Sequence, residues 1–109
     1  MIAQRRRFMN KQVEKDIILS FSTTASGNFS YSAAIKLKQG INYNLSYTLD
    51  ATGLVSSIIY LNGSKIVNSW SVHGGANFTA TCEQSNIRYT CYQNSGKPVN
   101  VTITISIAK

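Results

Sequence analysis

The sequence predicts an all-β fold, a single antiparallel β-sandwich or jelly roll of about eight strands, carrying a basic N-terminal arm. Three observations predict it. Apolar and polar residues alternate with a period of two over several stretches, the signature of strands with one buried face. Between two such stretches stands Asn62-Gly63, the dipeptide that best tolerates the two positive φ values of a tight hairpin turn. Only 14% of the residues are charged, so Ser, Thr and Asn make most of the polar surface, which suits strands better than helices.

The arm comes first. Residues 1–16 hold Arg5, Arg6, Arg7, Lys11 and Lys15 against Glu14 and Asp16, a cluster of positive charge in a chain of net charge +7, and show little helical period. They are read as an arm that orders on a partner, with residues 17–109 as the β-domain. A chain of 109 residues has room for one core of this kind.

Residues 17–22 form the first predicted strand. Phe29, Tyr31, Ala33, Ile35 and Leu37 then alternate with polar or small residues, and Tyr43, Leu45, Tyr47 and Leu49 resume the pattern after Gln39-Gly40. Residues 55–61 and 64–70 flank Asn62-Gly63 as a hairpin. Its simplest register pairs Leu61 with Ser64, Ile59 with Ile66 and Val55 with Trp70, and gathers Ile58, Tyr60 and Val67 on the opposite face. That second apolar face suggests a cover, either the arm or another subunit in a homo-oligomer. His73 and Gly74-Gly75 are assigned to a loop. Residues 76–83 and 87–93 are predicted as a second hairpin about Ser85-Asn86, followed by a loop through residues 94–98. Val99, Val101, Ile103, Ile105 and Ile107 make a last, β-branched strand.

Candidate chemistry is sparse. Cys82 and Cys91 would face each other across the second hairpin and permit a disulfide in an oxidising compartment, or stay as thiols in a reducing one. With a single His and one cysteine pair, no metal site is expected, and no cofactor. The acids Glu14, Asp16, Asp50 and Glu83 surround no recognisable nucleophile, so no catalytic residues are assigned and the chain is expected not to be an enzyme. Five Asn-x-Ser/Thr sites, at Asn28, Asn44, Asn62, Asn77 and Asn100, follow from strands with polar wet faces. No stretch approaches the roughly 20 apolar residues of a membrane span, nor the apolar region of a signal peptide, and no membrane partner is expected. Trp70, Tyr89 and Tyr92 are the candidate stacking platforms for a glycan; Tyr43 and Tyr47 share a face with Leu45 and Leu49 and are assigned to the core. Arg5, Arg6 and Arg7 followed by Phe8 and Met9 join charge to an apolar anchor, which fits docking on a protein groove better than attraction to nucleic acid.

Residues 35–47 (IKLKQGINYNLSY) and 60–66 (YLNGSKI) resemble the jelly-roll modules, related to carbohydrate-binding modules, that recur in phage tail, fibre and capsid-decoration proteins. The opening residues 2–9 (IAQRRRFM) look like the amino ends of small virion proteins from phages of gut Bacteroidetes. The two resemblances imply a non-enzymatic virion protein assembled in the host cytoplasm, its arm docking on a capsid, head-fibre or tail partner. The first alone implies the alternative, a carbohydrate-binding module. The chain lacks the long repeat or coiled coil of a complete receptor-binding fibre.

Overall fold

The computed structural model describes residues 16–51, 55–94 and 96–108. Eight strands follow in order: β1 (Ile17–Ser22), β2 (Gly27–Lys36), β3 (Asn42–Leu49), β4 (Ser56–Leu61), β5 (Ser64–Ser69), β6 (His73–Thr79), β7 (Gln84–Gln93) and β8 (Asn100–Ile107). They form two four-stranded antiparallel sheets. Sheet A has the order β1-β8-β3-β6 and sheet B the order β2-β7-β4-β5, the strand order of a jelly roll.

The core lies between the inward faces. Leu45 and Tyr47 of β3 and Ile103 and Ile105 of β8 meet Ile59 of β4 and Ile87 and Tyr89 of β7, all essentially inaccessible to water. Fully burying each such side chain is worth about 1.5–3 kcal/mol. Toward the β1/β2 side the filling is aromatic: Phe21 stacks on Tyr31 at 3.9 Å between ring centroids and tilts against Tyr89 at 5.5 Å.

The Asn62-Gly63 hairpin forms with φ of 51° and 86° at its two turn residues, the pair of positive values of a type I′ turn. Its register departs from the simplest one. Leu61 pairs with Ser64 and Tyr60 with Lys65, but Ile59 then pairs with Val67 and Ser57 with Ser69, leaving Ile66 as the extra residue of a β-bulge. One inserted residue exchanges the two faces of everything beyond it. Val67, expected outside with Ile58 and Tyr60, is buried against the core, while Trp70, expected inside opposite Val55, is 62% exposed.

A second correction concerns β6. No hairpin joins residues 76–83 to 87–93, because β6 pairs with β3 in sheet A whereas β7 lies between β2 and β4 in sheet B. The intervening residues 80–83 cross from one sheet to the other. His73 and the two glycines after it belong to β6 rather than to a loop. Gly75 is there for a close approach: a Cβ on it would run into the Leu45 carbonyl oxygen of β3.

The crossover also settles the cysteines. Cys91 is buried in β7, paired with Phe29 and Ser57, and Cys82 is exposed on the crossover beside Gln84 and Ser85. The two are not placed opposite each other, and of the two states the sequence leaves open they stand here as separate thiols.

Candidate functional site

Sheet B presents three rows of outward side chains, each crossing all or most of its strands. The first runs Asn28, Tyr92, Ser56. Trp70 follows directly after β5, at a bend one residue beyond the Ser57–Ser69 pair, and so lies at the same end of the sheet as Ser56. The second row is Ser30, Thr90, Ile58, Asn68, and the third Ser32, Arg88, Tyr60, Lys65. Trp70 and Tyr92, 62% and 49% exposed, are therefore the large exposed aromatics at one end of sheet B, Tyr92 on β7 and Trp70 just past β5, with β4 between those strands. Asn28, Ser30, Ser56, Thr90, Tyr92 and Arg88 line a groove of about 390 Å³ on this face.

The physical resource of such a face is flat aromatic surface edged by neutral hydrogen-bonding groups. An exposed indole or phenol ring carries a negative face that accepts the weakly positive C–H groups of a sugar ring, and the flanking amides and hydroxyls can meet its hydroxyls. Arg88 lies over Tyr60, with its guanidinium carbon 4.4 Å from the ring centroid, so Tyr60 is spoken for by a cation–π contact.

Tyr89 is excluded from this role. It points inward with no accessible surface, and its hydroxyl shares a 2.8 Å hydrogen bond with Ser57 Oγ. Alternation along β7 explains the correction, since Arg88, Thr90 and Tyr92 face out and Ile87, Tyr89 and Cys91 face in. Arg5, Arg6, Arg7, Phe8 and Met9 lie outside the described residues. Sequence reasoning missed Arg88 with its Tyr60 partner, although the period of two along residues 87–93 already set Arg88 on the face of Tyr92.

Burial raises the pKa of Tyr89 well above the ordinary tyrosine value, partly offset by the bond to Ser57, and burial likewise raises that of Cys91. The unfolded chain releases these protons near about 8.5 for cysteine and 10 for tyrosine, while the folded chain retains them. Stability is therefore fully present below those unfolded-chain values and declines as the pH rises above them toward the raised values of the folded groups. Urea unfolding between pH 7 and pH 11 is expected to show this decline, and Tyr89→Phe to flatten its upper part. An equally steep fall in the variant would contradict the assignment.

The other groups with chemical potential are engaged elsewhere. Asp50 accepts from the Asn100 backbone at 2.8 Å and from its side-chain amide at 2.9 Å, tying the end of β3 to the start of β8. His73 is exposed at the start of β6, opposite Thr48. A larger cavity of about 580 Å³ lies where β1 begins, but its aromatic residue, Tyr43, is buried and accepts a bond from the Lys38 backbone N–H.

No protein-family model matches this chain, and no curated protein matches it in sequence. Solved structures do share its fold. It superposes on a family 35 carbohydrate-binding module from Clostridium thermocellum with a TM-score of 0.57 at 15% identity, over 89% of this chain and 95% of that one. It superposes on the C-terminal domain of EclA, a sugar-binding protein, with a TM-score of 0.56 at 13% identity, over 85% and 79%. The periplasmic inhibitor of g-type lysozyme PliG from Aeromonas hydrophila gives 0.53 at 12% identity, over 90% of each chain. At these identities the likeness is one of fold, and the chain is a jelly-roll β-sandwich of the kind on which carbohydrate-binding modules are built.

Proposed function

We propose that this chain is a non-catalytic glycan-binding module that holds an oligosaccharide on the outward face of sheet B, against Trp70 and Tyr92. The observation that carries the reading is that these two exposed aromatic side chains share one end of sheet B, where Tyr92 lines a groove with Asn28, Ser30, Ser56, Thr90 and Arg88. Two of the structures sharing the fold are described as sugar-binding, which supports the choice of ligand class. Flat aromatic rings beside a groove lined with amide and hydroxyl groups are the surface that a sugar ring, apolar on one face and polar at its rim, can use.

Trp70 is the sole tryptophan, so its fluorescence reports directly on occupancy of the site. Titration with oligosaccharides is expected to shift its emission to the blue. Trp70→Ala and Tyr92→Ala are each expected to weaken binding by about tenfold or more, the scale of losing one stacking partner, followed for Trp70→Ala by calorimetry. Both variants should keep the parent melting temperature, because neither ring is in the core. Silence of Trp70 across neutral and acidic glycan panels would sink the proposal.

The basic residues of the arm carry a second proposal, attachment of the domain to a virion partner through Arg5, Arg6, Arg7, Phe8 and Met9. Deleting residues 1–15 is expected to abolish incorporation into particles while leaving glycan affinity unchanged. Normal incorporation of the shortened chain would rule the arm out as the attachment.

A further inference from the structure

The geometry points to an acidic oligosaccharide, bearing a carboxylate or sulfate, as the ligand of sheet B, with Arg88 as the residue that selects its charge. The inference rests on the glycan-binding reading above and adds the substrate class to it. Lys36, Lys65 and Arg88 all project from the outward face of sheet B. None of the acids among the described residues shares that face: Asp16 precedes β1, Asp50 is bound to Asn100 in sheet A, and Glu83 is on the crossover before β7.

Ordinary surface design explains only part of this pattern. Lys36 and Lys65 lie on β2 and β5, the two edge strands of sheet B, where lysine discourages pairing with another chain. Arg88 is on β7, an interior strand with both edges hydrogen-bonded, where protection of an edge does not apply. Its guanidinium carbon lies 4.4 Å from the Tyr60 ring centroid, a contact that helps hold the group in place and draws on its charge rather than on N–H donors directed at an oxygen. Arg88 also lines the same groove as Tyr92 and Ser56. A saccharide lying along β7 would set one ring at the Tyr92 row and an acidic substituent two rows on, about 13 Å away by strand rise, which requires an oligosaccharide rather than a single sugar.

The experiment compares neutral and acidic oligosaccharides of matched backbone and length, by calorimetry, on the full chain and on Arg88→Gln and Trp70→Ala. The acidic ligand is expected to bind at least about tenfold more tightly, the scale of one charge-assisted hydrogen bond. That advantage should shrink as salt rises from 50 to 500 mM, because part of it is electrostatic. Arg88→Gln is expected to erase the preference while retaining neutral binding, and Trp70→Ala to weaken both ligands alike. Equal affinity for the two ligands, or a preference unmoved in Arg88→Gln, would overturn the charge selection and leave the glycan reading standing. Absence of binding by either ligand would overturn both.

Discussion

A Gln93→Glu protein is expected to unfold at a markedly lower urea concentration than the parent at pH 7, a loss of about 3 kcal/mol or more. Gln93 ends β7 facing inward, and the two N–H groups of its amide are shared among the carbonyl oxygens of Thr24 at 2.6 Å, Ala25 at 2.9 Å and Lys97 at 3.0 Å from the nitrogen. These carbonyls belong to the β1–β2 connection and to the loop before β8, so one amide group ties the end of β7 to both, across the edge between the two sheets. Glutamate keeps the shape and supplies only oxygen. Its carboxylate would face three acceptors, and the group could reduce the conflict only by staying protonated. The loss should accordingly be small in acid and grow as the pH rises through and beyond the ordinary carboxyl range. Unfolding midpoints at pH 4 and pH 7 give the check; a variant as stable as the parent at both would show that the amide is replaceable by water.

Gly75→Ala is the second large effect. The added methyl would meet the Leu45 carbonyl oxygen, a backbone atom that cannot turn aside as a side chain would. Relief requires β6 to move away from β3 along the Asn42–Thr79 to Thr48–His73 ladder, at a cost of about 2–4 kcal/mol on the scale of other forced shifts in packed sheets. Thermal unfolding is the measurement, with Ala76→Gly as a control that removes a methyl from the same strand. If Gly75→Ala melted with the parent, the close approach would have been accommodated by strand displacement at no cost.

The strands were legible because the period of two is set by burial, and burial is what the alternation of Phe29 to Leu37, Tyr43 to Leu49 and Val99 to Ile107 records. The turn at Asn62-Gly63 was legible for a different reason, the cost of positive φ to other residues. What escaped was the bulge at Ile66. Nothing in residues 64–70 marks it, since both registers bury an aliphatic residue opposite Ile59, and only the demands of the neighbouring sheet choose Val67 over Ile66. The candidate site depended on that choice, because the position of Trp70 followed from it. Residues 76–93 misled through their symmetry about Asn86: two strands near in sequence look like a hairpin, and the choice to cross between sheets is a long-range one. Gly74-Gly75 read as a loop because the proximity of Leu45 and Tyr47 is invisible until β3 and β6 are paired.

The position of β8 between β1 and β3 has a consequence for how the domain is made. β1 hydrogen-bonds to β8 alone in its sheet, with Ile17 opposite Ile105, so one of the earliest strands in the sequence waits for the last before it has a partner. Pairings across so wide a separation close late and slowly, because the loop entropy precedes the contacts that offset it. During synthesis β1 would spend that interval as an unpaired apolar segment, Ile17 to Phe21, open to the same segment of a neighbouring chain. Conditions that slow this one strand insertion are therefore expected to lower expression yield even where the stability of the finished sandwich is unchanged.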